Sequence, residues 1–279
     1  MKFDLDTAWK DATRLIRENF GLLAVIAGVF YFLPYFAALL WVPGMSELVM
    51  GQMDPDSDRM QAMVQALFAD YWWAFLLLTL VQSIGLLSML ALLRRRANPT
   101  VAEALAVGAR SVLSYLAASI LLGVLIALVA IAVAAPGALA GMPVLVVIGV
   151  IAMVAIIFYL FTKFSMVSPV IAIDGVLNPI EALKRSWRLT KGNSLRIFFF
   201  YALLMIAYFV ISAVIGLVFS LLFALGGAEA QTFGSAFSSS LMNAIFAVVF
   251  IGVLAAVHAQ LSRLGGASSP KREPVDGTY

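Results

Sequence analysis

Long apolar blocks alternate with short polar segments along this chain. Six of the blocks are long enough to cross a bilayer as helices, which takes roughly 20 residues. They cover residues 20–42, 71–93, 111–135, 144–166, 195–225 and 241–261. The sequence therefore predicts an all-α polytopic membrane protein with six transmembrane helices.

Two of the polar segments have the spacing of short helices, at residues 59–68 and 98–110. Thr100 and Glu103 stand three residues apart, as in a capping box, in which each side chain bonds the backbone N–H of the other residue. We expect both segments to be separate from the spans that follow them.

The remaining connections are predicted from their turn-forming residues. Residues 136–143 begin and end with proline and predict a tight turn. Residues 226–240 are rich in small residues and predict a loop. Pro34 lies inside the first apolar block and predicts a kink in that helix.

The polar segment at 163–196 holds the densest cluster of cations in the chain. Within it, Asn178, Pro179 and Glu181 predict a helix start. Asn can cap the first free N–H groups, Pro suits the first helical position, and Glu suits the third. Gly192 follows at a natural helix stop. Apolar residues recur on one face and charged residues on the other, so the segment predicts an amphipathic helix at a membrane surface.

The charged face of this helix and its tryptophan form the first candidate site. Cations close to a membrane surface each gain about 1 kcal/mol from anionic lipid. The candidate headgroup-binding residues are Lys184, Arg185, Trp187, Arg188 and Lys191. The simpler interpretation is that these cations only hold the loop on the inner side. Glu181 is spaced to form an ion pair with Arg185, which would neutralise part of the charge.

Cations are distributed very unequally between the two sides of the predicted bundle. The chain has 18 Lys and Arg residues, and all except Arg59 fall on the side of the termini. Because cytoplasmic loops carry an excess of Lys and Arg, both termini are predicted to be cytoplasmic.

Composition excludes a soluble domain of this length. Hydrophobic residues make up 63% of the chain and charged residues 12%, and the mean hydropathy is +1.02. Too few polar residues remain to cover a soluble core. The chain has no cysteine, which excludes disulfides and thiolate metal sites.

Three polar segments resemble one another. Residues 10–19 align with 184–193 and share Lys, Arg, Leu and Asn at the same offsets, and 98–105 echo 178–183 with one insertion. Each precedes two spans, so the sequence predicts three repeats of a cytoplasmic amphipathic helix plus a two-span hairpin. The units, at about 1–96, 97–168 and 169–262, form one transmembrane domain, and 263–279 form a polar cytoplasmic tail. The alternative is that any interfacial helix has such a composition.

Residues 168–175, SPVIAIDG, and 182–193, ALKRSWRLTKGN, resemble a known signature. In these residues the chain is similar to the membrane domain attached to some bacterial glycerophosphodiester phosphodiesterases, and to the related YciC-type inner-membrane proteins. The resemblance implies six spans, a short extended piece with a proline before the amphipathic helix, and a bacterial inner membrane. The sequence holds no soluble catalytic barrel, so phosphodiesterase activity is not expected.

Polar side chains inside the spans form the second group of candidates, because polar groups in lipid need partners. Gln82 lies near the middle of span two, Asn243 near the outer end of span six, and His258, the only histidine, near its inner end. Hydrogen bonds between helices are their simplest role, and a proton relay is the alternative. The span centres hold no Asp or Glu, which argues against an ion-coupled transporter.

Motifs for catalysis are missing from the sequence. One His and no Cys leave few options for acid–base or metal chemistry, and Asp54, Asp56 and Asp58 lack the Gly and Glu of a calcium loop. We therefore expect no enzymatic activity, no metal and no cofactor.

The sequence favours an inner-membrane protein that supports membrane or envelope lipid homeostasis through contact with lipids or a partner protein. The alternative is a permease-like transporter of a lipid or small apolar solute. Expected partners are membrane lipids, anionic ones included, with a protein partner or a homo-oligomer as further candidates. Nucleic acid is not expected.

Overall fold

The computed structural model describes residues 2–50, 57–94 and 100–267. Every regular element in these residues is a helix, so the all-α prediction is confirmed. The helices are α1 (Leu5–Glu18), α2 (Phe20–Ala27), α3 (Leu33–Trp41), α4 (Met45–Met50), α5 (Ser57–Leu92), α6 (Val101–Ala140), α7 (Pro143–Phe164), α8 (Val167–Ala172), α9 (Pro179–Thr190), α10 (Ser194–Phe223) and α11 (Gly227–Ala267).

Within the described residues, five continuous stretches are long and apolar enough to cross a membrane. They are Phe20–Trp41, Met60–Leu92, Val101–Val133, Val144–Ala172 and Ser194–Leu264. The last has 71 residues and contains two helices, α10 and α11, joined by a 3-10 turn at Ala224–Gly226. The count of six spans stays a prediction.

The first span is interrupted where the sequence predicts a kink. Between α2 and α3 the residues Gly28–Phe32 form a π-helical turn, and Pro34 stands in the first turn of α3. Proline has no N–H to donate to the preceding turn, and π turns are a common way to absorb such a break.

The two predicted short helices have different outcomes. α5 begins at Ser57 and is kinked at Tyr71, which is non-helical at φ −120° and ψ 18°, so a short helix before this residue meets the span after it, as the sequence predicts. α6 begins at Val101 and runs without such a break into the span, so the prediction of a separate helix at 98–110 is wrong, whereas its capping box is confirmed. The Thr100 N–H donates to Glu103 Oε2 at 2.8 Å, and the Glu103 N–H donates to Thr100 Oγ1 at 3.3 Å.

Two predicted connections are shorter than expected. α6 runs through Pro136 to Ala140, and the chain turns at Gly141, which has φ +61°. The predicted loop at 226–240 is helical and forms the first third of α11. Small residues there allow close packing: a side chain at Gly234 would collide with Phe223. Small residues in membrane helices favour such contacts as readily as they favour loops.

The polar tail predicted at 263–279 starts within a helix. α11 continues to Ala267, and the rest of the tail lies outside the described residues. Asp54, Asp56 and the Asn–Pro pair at 98–99 also lie outside them.

Small residues let the surface helices lie close to the ends of the spans. α1 buries Ala8 and Ala12, and α9 buries Ala182 and Ser186. In the first turns of α6, Ala104 and Gly108 follow the same spacing, with Ala104 fully buried. A side chain at Gly108 would come within 2.8 Å of the Ile84 carbonyl oxygen and would also collide with Ser88 on α5.

The contact at Gly108 predicts a cost for any larger residue. Gly108→Leu should lower the free energy of unfolding by about 1–3 kcal/mol, because the neighbour it meets is partly backbone and cannot move aside. The measurement is the thermal unfolding midpoint of the purified protein in detergent. Gly123→Leu in the same helix is the matched control, because nothing lies within 4 Å of the added carbon. Equal midpoints for the two variants would contradict the close contact.

Candidate functional site

The amphipathic helix predicted from 178–192 is α9, and its ends are as the sequence indicates. Asn178 Oδ1 accepts hydrogen bonds from the N–H groups of Ile180 at 3.0 Å and Glu181 at 3.2 Å. Pro179 occupies the first helical position, and Gly192, at φ +82°, lies two residues beyond the last. The local sequence therefore fixes where this helix begins and ends.

The small polar face of α9 holds it against the end of α7. Ser186 Oγ donates to the Lys163 carbonyl oxygen at 2.8 Å and accepts from the Met166 N–H at 3.2 Å. Thr190 Oγ1 also approaches the Lys163 carbonyl, at 3.3 Å. Ser186 and Thr190 are fully buried. The bonds are made to backbone atoms, so they fix the position of the helix independently of nearby side chains.

With this face on the protein, the apolar face of α9 is left partly open. Ile180 is 53% exposed and Trp187 is 37% exposed, while Leu183 is half-buried. The Trp187 ring packs against Tyr159 and Phe164 at centroid distances of 5.8 and 5.6 Å. This is the exposure expected of a helix whose apolar face enters the lipid interface.

A groove of about 710 Å³ runs along this open face. Its lining residues are Phe164, Asn178, Ile180, Glu181, Leu183, Lys184, Trp187 and Arg188. Three of the five predicted headgroup residues, Lys184, Trp187 and Arg188, therefore come together. Within residues 2–50, 57–94 and 100–267, neither Lys184 nor Arg188 forms an ion pair.

Lys163 adds a third positive charge beside the groove. Its side chain is buried, and Nζ lies 4.9 Å from the centre of the Trp187 ring and 5.6 Å from that of Tyr159. A cation over an aromatic face is attracted by the ring quadrupole, and the attraction grows when water is excluded. Lys163 therefore holds Trp187 in place without reducing the positive charge of the region.

The other two predicted headgroup residues lie away from the groove. Lys191 is the exposed C-cap residue of α9, and its N–H donates to the Arg188 carbonyl. Arg185 does not line the groove and forms an ion pair with Asp174 at 2.8 Å. The predicted pair of Arg185 with Glu181 is replaced by this one.

Asp174 joins three elements of the bundle. Its Oδ2 accepts from Arg185 Nη2 on α9 and from His258 Nε2 on α11, at 3.1 Å. Because an ionised carboxylate only accepts, Nε2 carries the proton in this contact. His258 is 3% exposed, so this hydrogen bond satisfies a ring that water does not reach. Among the described residues, no group of three His, Asp or Glu side chains could hold a metal ion.

Burial and charge act in opposite directions on Asp174. Burial raises the pKa of the carboxyl, but the hydrogen bond and charge of His258, with Arg185 and Arg94, outweigh it and hold the pKa below its ordinary value of 3.8. Asp174 is therefore ionised across the physiological range.

Asp174 is a residue that reasoning from the sequence missed. The piece before it, predicted to be extended, is wrong: Val167–Ala172 form the short helix α8, all of it buried. A turn with Gly175 at φ +73° follows. The sequence did contain one signal: Asp174 is a single acid in an apolar run, and it is predicted near the same inner membrane surface as His258, the only histidine. Nothing in the sequence shows that the two are neighbours.

Residues 138–264 match the family described as the membrane domain of glycerophosphoryl diester phosphodiesterase. The resemblance inferred from the SPVIAIDG and ALKRSW residues is thereby confirmed, and the matched segment contains α9, Asp174 and His258. Comparisons with curated proteins and with solved structures gave no match. The match supports an integral membrane protein with several membrane-spanning helices.

The other predicted polar residues, Gln82 and Asn243, lie apart from the groove. Gln82 is half-buried, and its backbone carbonyl accepts the Tyr31 hydroxyl at 3.0 Å. Asn243 lies well inside α11, because that helix begins at Gly227 rather than near 241. Its Nδ2 is buried and has no hydrogen-bond acceptor among the described residues.

Asn243 lines an internal cavity of about 360 Å³. The walls are largely apolar and come from α5, α6, α7, α8, α9 and α11, with Tyr31 from the π-helical turn. Phe164 and Leu183 line both this cavity and the groove on α9. Neither Gln82 nor His258 lines it.

The Asp174 cluster predicts a stability effect with a defined pH dependence. Asp174→Asn should lower the free energy of unfolding by about 1.5–3 kcal/mol at pH 7, the usual range for hydrogen bonds to a charged group. Because folding lowers this pKa, the contribution is present above pH 3.8 and is lost as the pH falls below that value. The measurement is the unfolding midpoint in detergent from pH 7 to pH 3.

Asp6→Asn serves as the control for Asp174→Asn. Asp6 also pairs with a cation, Lys10, but both side chains are largely exposed. Such a pair should change the free energy of unfolding by less than about 0.5 kcal/mol. A midpoint for Asp174→Asn equal to that of Asp6→Asn at pH 7 would show that the cluster does not stabilise the bundle.

Proposed function

We propose that this protein is a non-enzymatic integral membrane protein of the bacterial inner membrane that contacts anionic lipid through the groove on α9. Its role would be to support the lipid homeostasis of the membrane or envelope. The observation that carries the proposal is the groove itself, which sets two cations, Lys184 and Arg188, beside exposed apolar residues and a fixed tryptophan; neither cation is paired with a described residue. Anionic lipid supplies both complementary parts, a phosphate and a hydrocarbon surface.

The comparison of α9 with α1 supports a role beyond topology. Lys10 and Arg14 of α1 align with Lys184 and Arg188 of α9. On α1 each cation is paired on its own helix, Lys10 with Asp6 at 2.6 Å and Arg14 with Asp11 at 2.7 Å. The positive-inside rule needs only cations, paired or not. The unpaired cations of α9 are therefore the ones available to a ligand.

A non-enzymatic role is supported by the surroundings of the only histidine. In the described part of the chain, His258 is hydrogen-bonded to Asp174 alone, and the groove contains no histidine. A nucleophile activated by a base would need a hydroxyl within hydrogen-bond reach of the histidine ring.

The permease alternative receives less support from the cavities. A transport path for polar solutes would be expected to include Gln82 or His258, and the internal cavity includes neither. An apolar solute would still fit the cavity, so this alternative is limited to apolar cargo.

The proposed function predicts a selective loss of anionic lipid. Lys184→Ala with Arg188→Ala should weaken binding of phosphatidylglycerol by about thirtyfold, since two interfacial cations contribute about 2 kcal/mol. The measurement is native mass spectrometry of the purified protein in nanodiscs that contain phosphatidylglycerol and phosphatidylcholine.

Lys10→Ala with Arg14→Ala is the matched control, because it removes the same charge from the aligned positions of α1. It should leave phosphatidylglycerol binding within about threefold, as exposed paired cations contribute little. Equal losses of phosphatidylglycerol binding in the two double variants would show that the cations of α9 serve only the membrane topology, and would overturn the proposal.

We also propose that the bundle has six spans in three repeats, with both termini cytoplasmic. The packing of α1, the start of α6 and α9 supports this, because each of them contacts the last span of a neighbouring repeat unit. The start of α6 packs on α5 through Gly108, α9 packs on α7 through Ser186, and α1 packs on α11, where a side chain at Gly252 would meet Ile16. Each surface segment thus lies on the second span of the unit before it, and the first closes onto the last.

The junctions after α1 and α9 also match. Asn19 and Asn193, which align in the repeat, have φ −118°, ψ 15° and φ −121°, ψ 3°, and each leads into a span. The same end of the bundle holds the contact of Arg196 with the Phe3 carbonyl and that of Arg263 with Asp11. The N-terminal segment, the start of α10 and the end of α11 therefore meet on one side of the bundle.

Single cysteines test this topology without background, because the chain contains none. Lys191→Cys should be protected from a membrane-impermeant thiol reagent in intact cells, whereas Met142→Cys and Leu225→Cys should react. All three side chains are exposed on the protein. Labelling of Lys191→Cys in intact cells, or protection of Leu225→Cys, would contradict the six-span arrangement with cytoplasmic termini.

A further inference from the structure

The internal cavity and the groove on α9 adjoin each other. Phe164 and Leu183 line both spaces, so the two side chains form a common wall. Neither residue is fixed by a polar contact, since both are apolar. An occupant of the groove and an occupant of the cavity would therefore be separated only by these apolar side chains.

The lining of the cavity extends along one face of α11. α11 contributes Asn243, Phe246, Ala247, Phe250, Ile251 and Leu254, which recur every three or four residues along one face. The first and last of these are eleven residues apart, which is about 16 Å along an α-helix. Leu254 lies at the end near the Asp174 cluster, and Asn243 lies at the deep end.

The wall of this space suits hydrocarbon. Aromatic and aliphatic side chains dominate it, and its volume of about 360 Å³ lies within the usual range for small-molecule sites. Phe161, which also lines it, is 52% exposed on the outside of the bundle, so the space is not sealed within the core.

We propose that the groove and the cavity form one site for a single anionic phospholipid. Its phosphate lies between Lys184 and Arg188, and one acyl chain passes Leu183 and extends along α11 toward Asn243. The proposal rests on the proposed function and deepens it, since it turns contact with bulk lipid into binding of one molecule. The charges and the shape agree: cations stand at one end of a long apolar space.

Other occupants would use only half of this arrangement. Free phosphate would need the cations but not the cavity, and an uncharged apolar solute would need the cavity but not the cations. A phospholipid of the surrounding membrane needs both, and the exposed apolar face of α9 lies where such a lipid would arrive.

The test uses phosphatidylglycerol with a diazirine in the middle of one acyl chain, incorporated with phosphatidylcholine into nanodiscs that contain the full chain. After irradiation, mass spectrometry locates the adducts. We expect adducts on Phe246, Phe250 or Leu254 that excess unlabelled phosphatidylglycerol removes. The same diazirine chain on phosphatidylcholine should give at least about tenfold fewer of them. Adducts confined to outward-facing residues would overturn the two-part site and leave the proposed function standing.

Variants at the two ends of the site separate its parts. Lys184→Ala with Arg188→Ala should reduce the cavity adducts by about thirtyfold, the loss expected for two interfacial cations. Unchanged adducts would show that the chain enters without a headgroup in the groove, which would also overturn the proposal.

Filling the cavity should remove the adducts while the cations of the groove stay in place. Ala118→Phe, on the cavity wall, should remove the adducts at least about tenfold and leave the unfolding midpoint near that of the wild type, and Ala247→Leu is a smaller second filler. Ile120→Phe in the same helix faces outward and is the control. Cavity adducts that survive in a folded filler variant would contradict the assignment.

Asn243→Leu tests whether the occupant of the cavity is a hydrocarbon acyl chain. A hydrocarbon chain accepts no hydrogen bond, so this variant should keep the cavity adducts, although it removes the amide at the deep end. Loss of the adducts would indicate an occupant that carries an oxygen there, and the acyl-chain assignment would be wrong.

Discussion

The carbonyl oxygen of Lys163, at the end of α7, fixes the position of α9. It accepts the Ser186 hydroxyl and also lies within reach of Thr190, while Ser186 accepts the Met166 N–H in return. The last turn of a helix leaves carbonyl groups without intrahelical partners, so these hydroxyls satisfy groups that would otherwise need water. With this face on the protein, the apolar face of α9 must point outward. The groove, its cations and its adjoining cavity all follow from that orientation.

A second contact, the Asp174 cluster, joins α9 to the rest of the bundle. Arg185 and His258 reach the same Asp174 oxygen from α9 and α11, so the turn after α8 is held from two directions. Removing Asp174 is costly because the buried His258 ring would lose its hydrogen-bond partner and Arg185 its counter-charge. Arg185 is thereby committed to structure, whereas Lys184 and Arg188, on neighbouring positions of the same helix, are left for the groove. The cation cluster of the sequence thus divides into structural and surface members.

The sequence predicted what depends on local patterns and missed what depends on neighbours in space. The caps of α9, the box at Thr100 and the first span followed from spacing and residue type. The helical state of 226–240 did not, because small residues serve both loops and close helix contacts, and only Phe223 opposite Gly234 decides between them. The Asp174 cluster was hidden for a related reason. Its acid and its histidine are 84 residues apart, and no local pattern joins them.

The cavity gives the strongest reason to treat the matched family segment as more than an anchor. A bundle built only to hold a chain in the membrane gains stability from filling its interior, since every void forfeits packing. This bundle instead keeps about 360 Å³ open beneath α9, and within the described residues the amide nitrogen of Asn243 at the deep end has no acceptor. Both features lower stability, and the cavity adjoins the groove that holds Lys184 and Arg188. A ligand that fills the space would recover part of that loss, which is what a binding site requires.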